Sequence, residues 1–146
     1  MRPSKDEYYL KIAEVVASRS TCLHHQYGAV IVKDDEIIAT GYNGAPRGEP
    51  NCCDVGCYKD SHSNPVDSDS AIHGDQYGIC VAVHAEQNAL LSASRSGTKG
   101  ATLYLACQEA TRVPVPCNIC NRMIKNAGIR RVVTKDYERI INENEN

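Results

Sequence analysis

Two short motifs constrain this chain more than any other feature of its sequence. The first is His84-Ala85-Glu86, and the second is Pro116-Cys117-Asn118-Ile119-Cys120. Both lie at the starts of predicted helices, and a Cys-x-x-Cys pair in a first helical turn places two sulfurs on one side. One imidazole and two thiolates are typical zinc ligands, so any fold of this chain has to bring the two helix starts together.

The spacing of His84 and Glu86 predicts that the two residues have different roles. Residues two apart point in nearly opposite directions inside a helix, so this pair should straddle the helix boundary. We expect His84, Cys117 and Cys120 to bind zinc and to leave a fourth tetrahedral position open for water, as in catalytic sites. A structural zinc knuckle or a redox pair would explain Cys-x-x-Cys alone, but neither needs Glu86. We predict that Glu86 moves protons, with a pKa raised by enclosure.

The pattern of apolar residues predicts a single α/β domain over residues 1–146. The expected fold is a three-layer α-β-α sandwich around a mixed sheet of four to five strands, because an antiparallel hairpin precedes two βα units. A capping box at Ser4 begins the first helix, which ends near Arg19. The other predicted elements are strands Ala29–Val32, Ile37–Ala39, Thr102–Ala106 and Ile129–Thr134, a hairpin turn at Lys33–Glu36, and helices Ala85–Ser96 and Cys117–Asn126. Residues 43–78 are predicted to be irregular, and the tail 142–146 frayed.

Charge and composition narrow the classes of partner. The chain has 16 Lys and Arg against 18 Asp and Glu, a formal net charge of -2, and no basic run, which argues against an extended nucleic acid. The N-terminus has no apolar signal segment, and no apolar run is long enough to cross a membrane. We therefore expect a cytoplasmic protein whose 8 cysteines bind metal or serve catalysis instead of forming disulfides.

Several further motifs resemble those of one family of enzymes. They are Arg19-Ser20-Thr21-Cys22, Gly28-Ala29-Val30-Ile31, Gly41-Tyr42-Asn43-Gly44-Ala45-Pro46, Asn51-Cys52-Cys53, His84-Ala85-Glu86-Gln87-Asn88-Ala89 and Asn126-Ala127-Gly128-Ile129. From about Tyr8 to Tyr137 the chain resembles the deoxycytidylate (dCMP) deaminases of the zinc-dependent cytidine deaminase superfamily. The resemblance implies hydrolysis of dCMP to dUMP and ammonia in pyrimidine deoxynucleotide metabolism.

The resemblance also implies roles outside the catalytic motifs. Asn43 would bind the nucleoside sugar, although Asn-Gly is also a common tight turn. Arg19 is a candidate phosphate contact, although a solvated charge at a helix end is commoner. The loop at Gly41, Tyr42 and Gly44 would bind a dCTP or dTTP effector, and members of this type form hexamers.

A second, structural zinc is expected beside the long irregular segment. The resemblance supports Cys22 and Cys52 as ligands, while Cys57 and Cys80 follow from residue type and position. Cys53, His62 and His73 are competitors, several of these thiols could be ordinary buried residues, and Cys107 is expected in the core.

The segment Gln108 to Val115 departs from the family pattern, in which the third strand runs almost directly into the Pro-Cys pair. We expect this insertion to lie over the active site, so that dCTP, a modified dCMP or another aminopyrimidine remain alternative substrates. A tRNA or polynucleotide deaminase is disfavoured by the absence of Phe and Trp. A non-enzymatic zinc-binding or DNA-uptake accessory protein is disfavoured by Glu86.

Overall fold

The computed structural model describes residues 1–62 and 79–141, and within them the chain forms one five-stranded sheet with helices on both faces. The helices are α1 (Lys5–Ala17), α2 (Cys52–Val55), α3 (Tyr58–His62), α4 (Ala85–Thr98) and α5 (Asn118–Asn126). The strands are β1 (Tyr27–Lys33), β2 (Glu36–Tyr42), β3 (Thr102–Cys107), β4 (Arg131–Thr134) and β5 (Tyr137–Ile140). Residues 63–78 of the predicted irregular segment and the predicted frayed tail lie outside the described residues.

The sheet is mixed, as the sequence predicts. Its strand order is β2-β1-β3-β4-β5, and β3 and β4 are parallel while the other neighbours are antiparallel. The start of β1 and the ends of β2, β3 and β4 therefore lie at one edge of the sheet. This edge also carries the connection from β3 to α5, because that connection leaves the end of β3.

Side chains of the central strands point alternately to the two faces of the sheet, and each face forms an apolar layer. Leu103, Leu105 and Val132 face α4 and α5, whereas Tyr104 and Val133 face the other side of the sheet, which α1 covers. Successive side chains of a strand point to opposite faces, so one buried run supplies both cores. The three-layer prediction is confirmed. Within the described residues, no helix is both long and apolar enough to span a bilayer.

Several predicted boundaries were wrong by a few residues. Lys33 and Glu36 belong to the strands, so the hairpin turn is Asp34-Asp35, whose φ values of 53° and 60° match the left-handed conformation that Asp tolerates. Helix α1 ends at Ala17 and β4 begins at Arg131.

Two other elements differ from the prediction. Helix α4 runs past the expected stop, although Ser94 (φ 61°, ψ 165°) interrupts its helical geometry. The nominally irregular segment contains α2 and α3, which are too short to show periodicity. Cys107 is only half-buried, because it ends β3 and its thiol donates to the carbonyl oxygens of Glu109 and Arg112 at 3.4 and 3.3 Å.

Candidate active site

Both metal-binding motifs occupy helix N-caps. His84 precedes α4 with extended backbone (φ -72°, ψ 154°), and its N–H donates to Gln87 Oε1 at 2.9 Å. Cys117 precedes α5 with similar backbone, and its sulfur accepts the Cys120 N–H at 3.4 Å. The extended backbone at each N-cap directs the side chains of His84 and Cys117 toward each other.

The three candidate ligand atoms converge. His84 Nδ1 lies 3.2 Å from Cys120 Sγ and 3.6 Å from Cys117 Sγ, and all three atoms lie within 4.8 Å of one another. Metal–ligand bonds of about 2.3 Å to sulfur and about 2.0 Å to nitrogen put tetrahedral ligands roughly 3.5 Å apart. The donor set and its spacing therefore fit zinc, which His84 would bind through Nδ1.

Glu86 lies beside these ligands and is almost completely buried, with 5% of its surface exposed. Burial raises the pKa of Glu86, while its hydrogen bond with Cys120 lowers it to a smaller extent. Burial and then the charge of Glu86 also raise the pKa of Cys120. The N-terminus of a helix ordinarily lowers the pKa of a thiol, but at Cys120 desolvation outweighs this effect. A bound zinc ion would favour the thiolate.

Gln87 is a site residue that the sequence analysis missed. Its amide oxygen accepts from the backbone of His84, and its Nε2 donates to Met123 Sδ of α5 at 3.7 Å. One side chain therefore connects the two ligand-bearing helices. A Gln three residues after an N-cap is the signal that could have identified it.

Asn43 follows β2 at the same edge of the sheet and is 7% exposed. Its Oδ1 accepts from the Ser20 hydroxyl at 2.6 Å and from the Tyr27 N–H at 2.8 Å, and its Nδ2 donates to the His25 carbonyl at 2.8 Å. Asn43 thus joins the segment before β1 to the end of β2. Among the described residues, the second hydrogen of this amide has no partner, and the resemblance implies that it contacts the sugar.

The residues of the expected effector loop have structural contacts. Gly41 lies inside β2, where a Cβ would be 2.4 Å from both the Ala85 carbonyl oxygen and the Ala89 nitrogen of α4. Tyr42 accepts from Asn88 at 2.8 Å, and Gly44 pairs with Val83, directly before His84. These contacts hold β2 against the start of α4.

Arg19, the candidate phosphate contact, is exposed two residues beyond the end of α1. Its backbone N–H donates to Val16 at 3.1 Å.

Cys22, Cys52, Cys57 and Cys80, the ligands expected for a second zinc, lie near one another but do not form a compact cluster. Burial raises the pKa of Cys52, and the nearby thiols of Cys57, Cys22 and Cys80 raise it further. In the described part of the chain, however, no three of these sulfurs lie within 4.8 Å of one another. Cys57 instead approaches His24 and Asp60 at that spacing. Of the named competitors, His73 and the side chain of His62 lie outside the described residues.

Comparison with known proteins places these features in context. Residues 3–135 match the family model described as the cytidine and deoxycytidylate deaminase zinc-binding region. The deoxycytidylate deaminase of Mycobacterium phage D29 is 44% identical over 133 residues, covering 90% of this chain and 94% of the phage protein.

The deoxycytidylate deaminase of Saccharomyces cerevisiae is 41% identical over 144 residues, or 98% of this chain, but this chain spans only 41% of the yeast protein. The crystal structure of the cyanophage S-TIM5 dCMP deaminase in complex with dCMP and dUMP superposes with a TM-score of 0.64 at 32% identity, covering 90% of this chain and 81% of that one.

Proposed function

The chain belongs to the cytidine and deoxycytidylate deaminase family, and on that premise we propose that it hydrolyses dCMP to dUMP and ammonia. The observation that carries the proposal is the convergence of His84, Cys117 and Cys120 beside the buried carboxyl of Glu86. The similarity to a dCMP deaminase that binds dCMP and dUMP supports the choice of substrate.

His84, Cys117 and Cys120 would hold a zinc ion, which supplies Lewis-acid activation of water. Glu86 takes a proton from the attacking water and delivers it to the ring nitrogen of the cytosine. As the C4–N bond breaks, Glu86 takes the remaining proton of the added hydroxyl group and delivers it to the departing amine, so that ammonia leaves and a carbonyl remains. Enclosure keeps bulk water from competing for these protons, and Gln87 keeps the two ligand-bearing helices in register.

The proposal is tested by measuring ammonia release from dCMP, dCTP, CMP, deoxycytidine and 5-substituted dCMP, each with and without deoxynucleoside triphosphates. We expect the highest kcat/KM with dCMP. A higher value with dCTP or a 5-substituted dCMP would assign the substrate to one of those alternatives, whereas no release from any of them would refute the function.

We also propose a second, structural zinc held by Cys22, Cys52, Cys57 and Cys80. Cys57, Cys22 and Cys80 each raise the pKa of Cys52, and this supports the proximity of the four thiols. A closed site with four thiolates would stabilise the part of the chain that connects these cysteines. His24 and Asp60 are the competing partners of Cys57.

We further propose a cytoplasmic homo-oligomer, a hexamer by family resemblance, that dCTP or dTTP regulates. None of the eight cysteines, all of which lie within the described residues, forms a disulfide, and this supports a reducing compartment. Light scattering tests the subunit number. A dCMP saturation curve that neither triphosphate changes would refute regulation.

A further inference from the structure

The insertion between β3 and α5 lies at the edge of the sheet that carries the metal site. It begins at the end of β3 and leads directly into Cys117. At the same edge, Tyr27 begins β1 and Asn43 follows β2. A side chain of the insertion can therefore reach the approach to the site.

Contacts with the rest of the domain fix the insertion. The Gln108 N–H donates to the Gln26 carbonyl at 3.0 Å, and the Gln108 amide donates to the Glu14 carbonyl of α1 at 2.6 Å. Lys135, just after β4, donates to the Ala110 carbonyl at 3.3 Å. The segment is thus held against three separate parts of the chain, and this defines the position of Arg112.

Arg112 and His25 converge on one point. Arg112 Nη1 lies 3.4 Å from His25 Nε2, and the guanidinium carbon lies 5.9 Å from the centre of the Tyr27 ring. Glu109 binds the other ring nitrogen, His25 Nδ1, at 2.5 Å and therefore leaves Nε2 directed at Arg112. Since a guanidinium can only donate, His25 Nε2 accepts from Arg112 Nη1 and His25 Nδ1–H donates to Glu109. This contact orients the guanidinium fork, whose other N–H groups can bind the oxygens of a phosphate group.

The same residues connect to the proposed sugar contact. The His25 carbonyl accepts from Asn43 Nδ2 at 2.8 Å, and Tyr27, beneath the guanidinium, donates its N–H to Asn43 Oδ1 at 2.8 Å. A phosphate on the sugar of a nucleotide would extend from Asn43 toward His25 and Arg112. The hydrogen bond from His25 lowers the pKa of Glu109, so the ionised carboxylate accepts from Nδ1 and fixes the orientation of the imidazole ring.

We infer that Arg112, positioned by His25, binds the 5′-phosphate of the nucleotide substrate. The inference rests on the proposed function and deepens it, because it assigns to the insertion the discrimination between a nucleotide and a nucleoside. Arg112 acts as a specificity-determining residue, and Glu109 is a positioning residue that orients the His25 ring.

The test compares Arg112→Gln and Arg112→Lys with the wild type. The matched control is Arg139→Gln, which removes an exposed arginine from β5 at the edge strand. Arg19→Gln tests the rival phosphate contact. For each protein we would measure kcat and KM for dCMP, turnover of deoxycytidine, and the Kd of dUMP by calorimetry.

We expect Arg112→Gln to raise both KM for dCMP and Kd for dUMP by about 10- to 100-fold, the size of a lost charge-assisted hydrogen bond. The kcat for dCMP and the turnover of deoxycytidine should stay within about threefold, since only binding of the phosphate is lost. Arg112→Lys should retain part of the affinity, and Arg139→Gln all of it. Retained deoxycytidine turnover shows that the variant is folded.

An unchanged KM and Kd in Arg112→Gln would overturn the subsite, as would an equal loss with dCMP and deoxycytidine. A loss confined to Arg19→Gln would transfer the phosphate contact to Arg19 and also overturn it. If the wild type releases no ammonia from dCMP, the proposed function fails, but the dUMP measurements still decide whether Arg112 binds the phosphate.

Discussion

The burial of Glu86 is the strongest functional signal of any single side chain in this protein. The other buried polar side chains in the described part of the chain are Asn43, Thr98 and Thr134, and each makes a hydrogen bond to the backbone. Glu86 is the one carboxyl group among them. A buried carboxyl is costly to ionise, which is useful at a site that must store and release a proton.

Replacement of Glu86 by Gln should separate proton transfer from metal binding. The amide keeps the shape of the side chain but cannot accept the proton, so kcat should fall about 10²- to 10⁴-fold. Zinc content should be unchanged, because Glu86 is not among the three converging ligand atoms. Ammonia release and zinc analysis on the same preparation check both statements.

The His84→Ala variant is the matched control for that experiment. It removes a ligand and should lose both zinc and turnover. Full turnover by Glu86→Gln would show that another group moves the protons.

Gly41→Ala should destabilise the protein because β2 and α4 are in near-contact there. The new Cβ would lie 2.4 Å from two backbone atoms of the first turns of α4, which cannot move aside as a side chain can. We expect the free energy of unfolding, measured in urea, to fall by about 1–3 kcal/mol. The kcat should fall as well, since His84, the proposed zinc ligand, is the N-cap of the displaced helix.

Gly97→Ala is the comparison for this substitution. Its Cβ would meet the Ile38 side chain at 2.7 Å, and this side chain is 37% exposed and can shift. Gly97→Ala should lower the free energy of unfolding by less than Gly41→Ala does. Equal losses would contradict the explanation that Gly41→Ala destabilises the protein by crowding backbone atoms.

Helices and central strands could be predicted from the sequence because their signals are local. Ser4 and Glu7 exchange the two hydrogen bonds of a capping box at the start of α1, and Gly128 takes the positive φ of 82° just after α5. Strand β5 carries no such signal, because Tyr137–Ile140 is short and largely exposed. Its pairing with β4 and the ion pair from Arg131 to Glu138 at 2.6 Å hold it in place.

The ion pair between α1 and β4 predicts the response of stability to acid. Asp6 receives Arg131 Nη2 at 2.5 Å and the Tyr104 hydroxyl at 2.7 Å, and the hydrogen bond from Arg131 is the main reason that the pKa of Asp6 is lowered from 3.8. A depressed folded-state pKa contributes stability that is complete above the unfolded pKa and is lost as pH falls through the folded value. Unfolding free energies should therefore fall below about pH 4.

In Asp6→Asn the free energy of unfolding should depend less on pH below about pH 4, because the asparagine cannot titrate. At neutral pH the variant should be less stable than the wild type, because its contact with Arg131 is weaker. Urea denaturation between pH 2 and pH 7 measures both effects. Glu138, whose pKa Arg131 also lowers, should retain part of the slope. An unchanged slope in the variant would exclude Asp6 as its source.

The catalytic and insertion residues show why the site could be predicted only in part. His84, Cys117 and Cys120 belong to motifs whose spacing and helix context are visible in the sequence, and the structure brings them together. The position of Arg112 depends on contacts such as that of Glu109 with His25, between residues far apart in the chain. No local pattern specifies such contacts, so the sequence indicated an insertion near the site but not its orientation.

The number of zinc ions per chain tests whether both proposed metal sites are occupied. We expect about two zinc ions per chain, one at each proposed site. Cys117→Ser should lose the catalytic ion and all turnover. Cys52→Ser should lose the other ion and keep deamination at the intact site, but its Tm should fall by roughly 5–10 °C because metal binding stabilises the folded segment.

The fourth ligand of the structural site can be assigned in the same assay. If Cys80 binds the ion, Cys80→Ser should halve the zinc content, whereas Asp60→Asn should leave it unchanged. The reverse result would assign the ion to the cluster of His24, Cys57 and Asp60, in which His24 Nε2 already lies 2.7 Å from Asp60 Oδ2. One zinc per wild-type chain, with turnover intact, would refute the structural zinc.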